Sequence, residues 1–204
     1  MIKAVLFDFD GVLTLDETGS QSICNYISES TGIDNNTFKK EYRKYNEDLL
    51  IGKIKHEDVW QKICDAIGQQ IKIDVLQSSF INTPINMEVL ALMQNVKAVN
   101  LKVAMVTDNK ADRIRNIVTY HRWESLFDCI SVSAEVGSGK NQENIFRSTF
   151  QILAVKPEEC IFIDNNKENL IVPNRLGIHS IFFDHSKNDV VSLKNKLIEV
   201  GIAL

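Results

Sequence analysis

The chain alternates short apolar runs with longer segments whose apolar residues recur at helical spacing. The short runs are rich in branched side chains and predict buried strands at "IKAVLFDF" (2–9), "LKVAMVT" (101–107), "ECIFID" (159–164) and "HSIFFD" (179–184). The stretch "FDCISVSAEVG" (127–137) predicts a fifth strand around Cys129–Ser133. Helical spacing is clearest in "PINMEVLALMQNVKAVN" and "KNQENIFRSTFQILAV". Apolar strands that alternate with helices are typical of a parallel sheet covered on both faces, so the pattern predicts an α/β fold.

Residues 16–83 interrupt this alternation, because they contain no convincing strand. Helices are predicted there at "SQSICNYISES", "NNTFKKEYRKYNEDLLIG", "KHEDVWQKICDAIG" and "DVLQSSFIN". Glycines stand near the expected helix ends, and Pro84 falls where the insertion should rejoin the sheet. We therefore predict a sheet domain of residues 1–15 and 84–204 and a small helical domain of residues 16–83. Inserted after the first strand, the helical domain would lie over the C-terminal edge of the sheet.

Composition narrows the class of protein. The chain has 204 residues, 44% of them hydrophobic and 25% charged, with a net charge of −4. This balance is ordinary for a globular protein, and it provides no basic field that would attract nucleic acid or a membrane surface. The four cysteines are far apart and the N-terminus is too short and acidic for a signal peptide. We therefore expect a cytoplasmic protein with free thiols, monomeric by default, with dimerisation through the helical domain left open.

The first strand ends in two carboxylates. Asp8 and Asp10 lie two residues apart, so they would share a face of an extended strand, and Gly11 allows a sharp turn directly after them. Two carboxylates held this close repel each other unless a cation offsets their charge, and Mg²⁺ favours oxygen ligands. The pair therefore predicts a metal site, although an ordinary surface turn would be the better explanation if the pair stood alone.

Polar groups also follow three other strands. "VTDNK" offers Thr107, Asp108 and Asn109, a hydroxyl and backbone N–H groups that suit a phosphoryl oxygen. "VGSGKN" places Lys140 behind two glycines at the predicted start of a helix, where an ammonium can neutralise an anion. "FIDNNKEN" ends another strand with the oxygen-bearing side chains of Asp164, Asn165 and Asn169. Four such clusters in this order indicate a phosphoryl site with a metal.

In this order the motifs "DFDGVLT", "VTD", the Lys140 region and "FIDNNKEN" resemble those of the haloacid dehalogenase superfamily. The resemblance covers nearly the whole chain, and the helical insertion matches the family's cap after strand one. It implies a Rossmann-like core with a helical cap. The stretch "PEECIFIDNNKENLIVPNRLGIHSIFF" is also similar to the branch of small sugar-phosphate phosphatases and the phosphatase domain of soluble epoxide hydrolases.

The resemblance implies a catalytic role for three residues. Asp8 would be the nucleophile that forms an aspartyl-phosphate, and Asp10 would be the general acid and then the general base. Lys140 would offset charge on the transferring group. Thr107, Asp108 and Asn109 would bind the substrate's phosphoryl oxygens. True dehalogenases lack the second aspartate, so Asp10 favours phosphoryl transfer.

The resemblance also implies that Mg²⁺ is held by Asp8, Asp10, Asp164 and Asn165. Asn165 departs from the family pattern, which usually has an acid there, and the lost charge should weaken metal binding. Asn141 replaces a common proline and should only loosen its loop. Three functions stay open: a Mg²⁺-dependent phosphatase acting on a small phosphorylated metabolite such as a sugar phosphate, a phosphomutase, or a catalytically weak phosphate-binding regulatory protein.

Other notable residues have structural explanations. Trp60 and Trp123 fall in apolar helical patterns and predict core packing. The four histidines are scattered without metal-like spacing, which predicts surface or hydrogen-bonded roles. "FKKEYRKY" (38–45) predicts a solvated helix face, with a contribution to substrate binding as the alternative.

Overall fold

The computed structural model describes all residues 1–204. Its centre is a five-stranded sheet with the order β3-β2-β1-β4-β5, and every strand pair is parallel. The strands are β1 (Ala4–Phe7), β2 (Lys102–Thr107), β3 (Cys129–Val132), β4 (Cys160–Asp164) and β5 (His179–Phe182). The predicted α/β fold and all five predicted strands are confirmed.

Eleven helices accompany the sheet. They are α1 (Gly19–Thr31), α2 (Asn35–Arg43), α3 (Asn46–Leu50), α4 (His56–Ile67), α5 (Ile73–Ile81), α6 (Met87–Ala98), α7 (Ala111–His121), α8 (Ser133–Val136), α9 (Asn144–Leu153), α10 (Ile171–Leu176) and α11 (Val190–Glu199). Short 3₁₀ turns lie at Pro157–Glu159 and Lys167–Leu170. None of these helices combines the length and the apolar character that a bilayer crossing needs.

Alternating side chains of β1 enter two apolar clusters, one on each face of the sheet. Val5 and Phe7 join residues from α6, α7 and α11 on one face, whereas Ala4 and Leu6 join residues from α9 and α10 on the other. Trp60 and Trp123 are buried in the first cluster, as predicted. The sheet is therefore covered on both faces, and its C-terminal edge is left to form a site.

Residues 19–81 contain five helices and no strand. Their apolar faces pack together around Phe38, Tyr42 and Trp60, and α5 also packs against α7 of the sheet region. We call α1–α5 the insert. One predicted helix is wrong in detail, because the segment predicted as a single helix from Asn35 is split into α2 and α3. At Lys44 and Tyr45 the backbone bonds tighten to i→i−3 spacing, which ends α2 before α3 begins.

The chain enters and leaves the insert through two adjacent segments. Thr14 and Ile85 form an antiparallel bridge, the Leu15 N–H donates to the Pro84 carbonyl at 2.9 Å, and the Asn86 N–H donates to the Leu13 carbonyl at 2.9 Å. The predicted boundary between the sheet domain and the helical domain lies at this connection. The four cysteines are buried free thiols, in agreement with their spacing in the sequence.

Candidate active site

The ends of β1, β2 and β4 and the loop after α8 surround a cavity of about 610 Å³, with the insert on its opposite side. Of the residues that line it, Leu50 is the one hydrophobic side chain. Seven of the eight predicted site residues line the cavity: Asp8, Asp10, Thr107, Asp108, Asn109, Lys140 and Asn165. The eighth, Asp164, lies directly behind Lys140 and is fully buried. The strand-end motifs therefore converge as expected.

The turn after β1 orients the first carboxylate. Asp8 accepts a hydrogen bond on Oδ1 from the Phe9 N–H at 2.7 Å, and the Gly11 N–H donates to the Thr14 hydroxyl at 3.0 Å. Gly11 has a φ of +74°, and a Cβ there would lie 2.1 Å from Nδ2 of Asn165. Glycine is therefore needed both for the left-handed backbone and for the space that Asn165 occupies.

Lys140 joins two carboxylates beneath the cavity. Its Nζ lies 2.8 Å from Oδ2 of Asp8 and 2.7 Å from Oδ2 of Asp164, and the residue is only 2% exposed. The predicted position at a helix start is wrong, since α9 begins at Asn144 and Lys140 lies in the preceding loop. The backbone N–H of Lys140 donates to Oδ1 of Asp108 at 2.9 Å, and this hydrogen bond anchors the loop to the end of β2.

Asp8, Lys140 and Asp164 bring together two acidic groups and one basic group. Burial raises the pKa of Asp8 well above its usual value, Asp164 raises it further, and Lys140 opposes both. Burial alone would lower the pKa of Lys140, but Asp8 and Asp164 together raise it above its ordinary value. When both carboxylates are ionised they share one ammonium, so a bound cation would offset the remaining negative charge and favour the ionised form of Asp8.

Asp164 and Asn165 differ in what they can bind. Oδ1 of Asp164 accepts from the Asn166 N–H at 2.7 Å and from the Asn169 side chain at 3.1 Å, and Oδ2 accepts from Lys140. Protein donors therefore occupy both oxygens of the carboxylate that we predicted as a metal ligand. Asn165 lines the cavity, and its Nδ2 donates to the Glu17 carbonyl at 3.4 Å, while its Oδ1 accepts no hydrogen bond from the protein.

Asp10 is held by a residue that the sequence reasoning missed. The fully buried Arg113 of α7 donates from both terminal nitrogens to the two Asp10 oxygens, each at 2.9 Å. Asn109 donates to Oδ2 of Asp10 at 2.7 Å, and its own oxygen accepts from Arg113 at 3.0 Å. Asn109, predicted to bind substrate, here positions Asp10. The sequence offers one sign that Arg113 has a special role: it is a single arginine beside Ile114 on the apolar face of α7.

Thr107 and Asp108 lie at the end of β2, the position that the sequence predicts for them. Thr107 is buried at the end of β2, and its hydroxyl oxygen accepts from the Asn109 side chain at 3.2 Å. A threonine hydroxyl that accepts this bond still has its own O–H to donate. Both residues line the cavity beside Asp8, so their assignment to phosphoryl binding stays a prediction that the geometry accommodates.

The insert side of the cavity carries two cations, Lys110 and Arg43. Neither forms an ion pair with a carboxylate, whereas Lys140 and Arg113 both do. Lys110 donates to the Ser20 hydroxyl at 3.3 Å. Burial and the neighbouring Arg113 lower the pKa of Lys110 to about 8. Arg43 belongs to the segment 38–45, so that segment contributes to the cavity as well as exposing a polar face to solvent.

Comparison with known proteins gives a family match and several curated relatives, two of which are described below. The model of the family described as haloacid dehalogenase-like hydrolase matches residues 5–183. A sesquiterpene phosphatase, astK of Aspergillus oryzae, is 23% identical over 195 residues, covering 94% of this chain and 95% of its own. Pyrophosphatase PpaX of Bacillus cereus is 24% identical over 182 residues, covering 86% of this chain and 80% of its own.

Solved structures share the fold. A HAD family enzyme of Bacteroides thetaiotaomicron superposes with a TM-score of 0.75 at 18% identity, covering 94% of this chain and 98% of that one. A variant of the same enzyme, in complex with magnesium and inorganic phosphate, superposes with a TM-score of 0.70 at 18% identity, covering 89% and 94%. L-2-haloacid dehalogenase from Xanthobacter autotrophicus superposes with a TM-score of 0.68 at 17% identity, covering 100% and 85%.

Proposed function

The chain belongs to the haloacid dehalogenase-like hydrolases, and from this membership we propose that it is a Mg²⁺-dependent phosphatase of a small phosphomonoester. The observation that carries the proposal is the arrangement of Lys140 between Asp8 and Asp164 at the base of a polar cavity. A carboxylate beside a fixed ammonium can attack a phosphoryl group while the ammonium offsets the charge on its oxygens. Both curated relatives are named as phosphatases, one of them a pyrophosphatase, which supports this reaction class.

The proposed reaction has two steps. An Asp8 oxygen attacks phosphorus, the P–O bond to the substrate breaks, and Asp10 gives a proton to the leaving oxygen. Asp10 then takes a proton from water as that water attacks the aspartyl-phosphate, which releases phosphate and restores Asp8. Arg113 and Asn109 fill both acceptor positions of Oδ2, whereas Oδ1 accepts a single bond, so Oδ1 is the oxygen with room for the proton.

The residues present fit a magnesium ion. The Asp8 carboxylate, the Asp10 carbonyl and the Asn165 amide oxygen are hard oxygen donors, and Asn165 rests on Gly11 where any Cβ would displace it. Mg²⁺ bound there would neutralise the excess negative charge and polarise a phosphoryl oxygen. Asp164 would then act through Lys140 rather than as a direct ligand, and the neutral Asn165 would make the affinity modest. The magnesium and phosphate complex of the Bacteroides enzyme supports this cofactor.

A second candidate is a phosphate-binding regulatory protein with weak turnover. Two observations favour it: Asn165 removes a charge from the metal site, and Arg113 engages the general acid Asp10. The lining is almost entirely polar, which disfavours a long hydrocarbon substrate in either case. We further propose a cytoplasmic location, which the four buried free thiols support.

Phosphate release from a panel of phosphomonoesters, with and without millimolar Mg²⁺, tests the proposal. We expect release that depends on Mg²⁺ and that Asp8→Asn abolishes. Asp65→Asn is the matched control, because Asp65 is exposed on α4 and does not line the cavity. If the wild-type chain binds inorganic phosphate but releases none from any ester, the regulatory alternative replaces the phosphatase. Activity that survives Asp8→Asn would remove the nucleophile assignment.

A further inference from the structure

We propose that Lys110 and Arg43, with Ser20, form a second anion site on the insert side of the cavity. The substrate would then be a phosphomonoester that carries a second anionic group, a carboxylate or a phosphate, on a short polar spacer. This inference rests on the proposed function, because it takes the reacting phosphoryl group to sit beside Asp8 and Lys140.

The first support is a buried ammonium that forms no ion pair with any carboxylate of the protein. Lys110 is 3% exposed, and its polar contact is the Ser20 hydroxyl at 3.3 Å. The other two buried cations of this region each have a carboxylate partner, Asp10 for Arg113 and both Asp8 and Asp164 for Lys140. An unpaired buried charge is unfavourable, so a site that keeps one is suited to a ligand that brings the opposite charge.

The second support is that neighbouring side chains fix the direction of the Lys110 ammonium. Its Nζ lies 5.6 Å from the centroid of the Tyr42 ring. The Tyr42 hydroxyl forms a 2.8 Å hydrogen bond with the buried His56, whose other ring nitrogen lies 2.6 Å from Asp112. This chain of contacts joins the insert to α7 and holds the aromatic surface on which the ammonium rests. The Lys110 ammonium is therefore held in position by its neighbours, unlike the ammonium of a flexible surface lysine.

The third support is the distribution of charge around the cavity. Arg43 is exposed beside the cavity without an acidic partner, whereas its neighbour Lys44 pairs with Glu41. The lining acids Glu17 and Glu168 belong to the segments that flank Asn165, where the metal is proposed. The cavity is therefore cationic on the insert side and anionic at the metal side. A substrate with one anionic group at each end matches this polarity when Mg²⁺ is present.

The size and lining of the cavity limit the spacer. A volume of about 610 Å³ is in the range of small-molecule sites, and Leu50 is its single hydrophobic lining residue. A spacer of a few hydroxylated carbons fits this environment, whereas a long alkyl chain would leave the polar side chains without partners. The proposal therefore specifies a small, hydroxylated and doubly anionic substrate class.

Steady-state kinetics on matched substrates tests the proposal. Glycerol 3-phosphate and 3-phosphoglycerate differ in the replacement of a hydroxymethyl by a carboxylate, and glycerol 1,3-bisphosphate offers a phosphate instead. We expect kcat/KM for one doubly anionic probe to exceed that for glycerol 3-phosphate by at least roughly tenfold, as one charge-assisted hydrogen bond would give. The probe that gains identifies whether the second group is a carboxylate or a phosphate.

Variants then assign the effect to residues. Lys110→Met should remove most of that preference, measured as the ratio of kcat/KM for the doubly anionic probe to kcat/KM for glycerol 3-phosphate, because the ammonium is replaced by an apolar side chain of similar length. Arg43→Gln should reduce the preference by a smaller factor because Arg43 is exposed. Lys40→Gln, exposed on the same helix and absent from the cavity, is the control and should change nothing.

The outcomes separate this proposal from the phosphatase assignment. Equal kcat/KM for all three probes, unchanged by Lys110→Met, would overturn the second anion site and leave the phosphatase intact. If no probe is hydrolysed, the phosphatase assignment fails, and calorimetric binding of 3-phosphoglycerate to the chain with and without Lys110→Met decides the site alone. Binding that weakens by roughly tenfold or more in the variant supports the site, and unchanged binding overturns it.

Discussion

Two buried lysines face the same cavity from opposite sides, and their surroundings differ. Lys140 is 2% exposed and forms ion pairs with Asp8 and Asp164, whereas Lys110 is 3% exposed, contacts a hydroxyl and an aromatic ring, and forms no ion pair. The carboxylates raise the pKa of Lys140, and burial and Arg113 lower the pKa of Lys110 to about 8. Equal burial therefore produces opposite electrostatics, because the neighbours decide which protonation state is favoured.

The cations at the strand ends are neutralised by carboxylates of the protein, whereas the cations on the insert side are not. At the strand ends each buried cation has a carboxylate partner, which holds the reacting groups in place before any ligand arrives. On the insert side, Lys110 and Arg43 line the cavity without forming an ion pair with a carboxylate of the protein. We interpret the first region as the place of chemistry and the second as the place of recognition.

The largest expected difference is between Lys140→Met and Lys110→Met. Removing Lys140 leaves Asp8 and Asp164 buried beside each other without a cation, so we expect the free energy of unfolding to fall by about 3–5 kcal/mol. Lys110→Met should change it by less than about 1 kcal/mol, because no ion pair is lost. Urea denaturation measures both. Similar losses in the two variants would remove the distinction between the regions.

Arg113→Lys should have the next largest effect. A lysine keeps the charge beside Asp10 but lacks the planar fork whose two nitrogens each reach one carboxylate oxygen, so about 2 kcal/mol of stability should be lost with one charge-assisted hydrogen bond. Arg115→Lys, at an exposed position on the same helix, is the matched control and should be close to neutral. An Arg113→Lys variant as stable as the wild type would show that the two-pronged contact contributes little.

The pH dependence of binding should distinguish the two lysines. Lys110 loses its charge as pH rises through about 8, whereas the raised pKa of Lys140 keeps it protonated. Arg113, Asp10, Cys24 and Asp112 act electrostatically on Lys110, and the pKa of Cys24 is raised to about 11, so its thiol stays neutral in this range. Affinity for 3-phosphoglycerate should therefore fall between pH 7 and pH 9 by up to about tenfold per unit.

The control for that titration is Lys110→Met, whose calorimetric affinity for 3-phosphoglycerate should stay nearly constant across the same range. Because the ligand ionises identically in both experiments, the ratio of the two affinities isolates the lysine. A ratio that does not change between pH 7 and pH 9 would contradict a role for the Lys110 charge.

The smallest expected effect concerns the metal. Asn165→Asp adds a carboxylate at the proposed Mg²⁺ position and should lower the Mg²⁺ concentration at half-maximal activity several-fold. Asn195→Asp, at an exposed position on α11 that does not line the cavity, adds the same charge elsewhere and should not lower the Mg²⁺ requirement. If the two variants behave alike, the assignment of Asn165 as a ligand is wrong.

Much of the fold could be predicted from the sequence because its information is local. Runs of branched residues marked the five strands, and glycines with positive φ, such as Gly32 and Gly68, marked helix ends. The break between α2 and α3 was missed because Phe38, Tyr42, Tyr45 and Leu49 keep helical spacing across it. A change from i−4 to i−3 hydrogen bonds leaves no trace in such a pattern.

The site was predictable only in part, for a physical reason. Strand-end motifs meet because parallel strands end at one edge, so Asp8, Lys140 and Asp164 could be grouped in advance. The partners of Asp10 and the isolation of Lys110 depend on which side chains of α7 and the insert meet in space. Sequence spacing does not encode such contacts between distant segments, and Arg113 was therefore missed.

The most direct test of the account measures kcat and KM for glycerol 3-phosphate and 3-phosphoglycerate in the wild type, Lys140→Met and Lys110→Met at millimolar Mg²⁺. We predict that Lys140→Met lowers kcat for both substrates by roughly 10²–10³-fold, as the loss of a charge-stabilising group does. Lys110→Met should instead raise KM for 3-phosphoglycerate alone. A Lys110→Met variant that lowers kcat on both substrates, or a Lys140→Met variant with wild-type kcat, would contradict the division between chemistry and recognition.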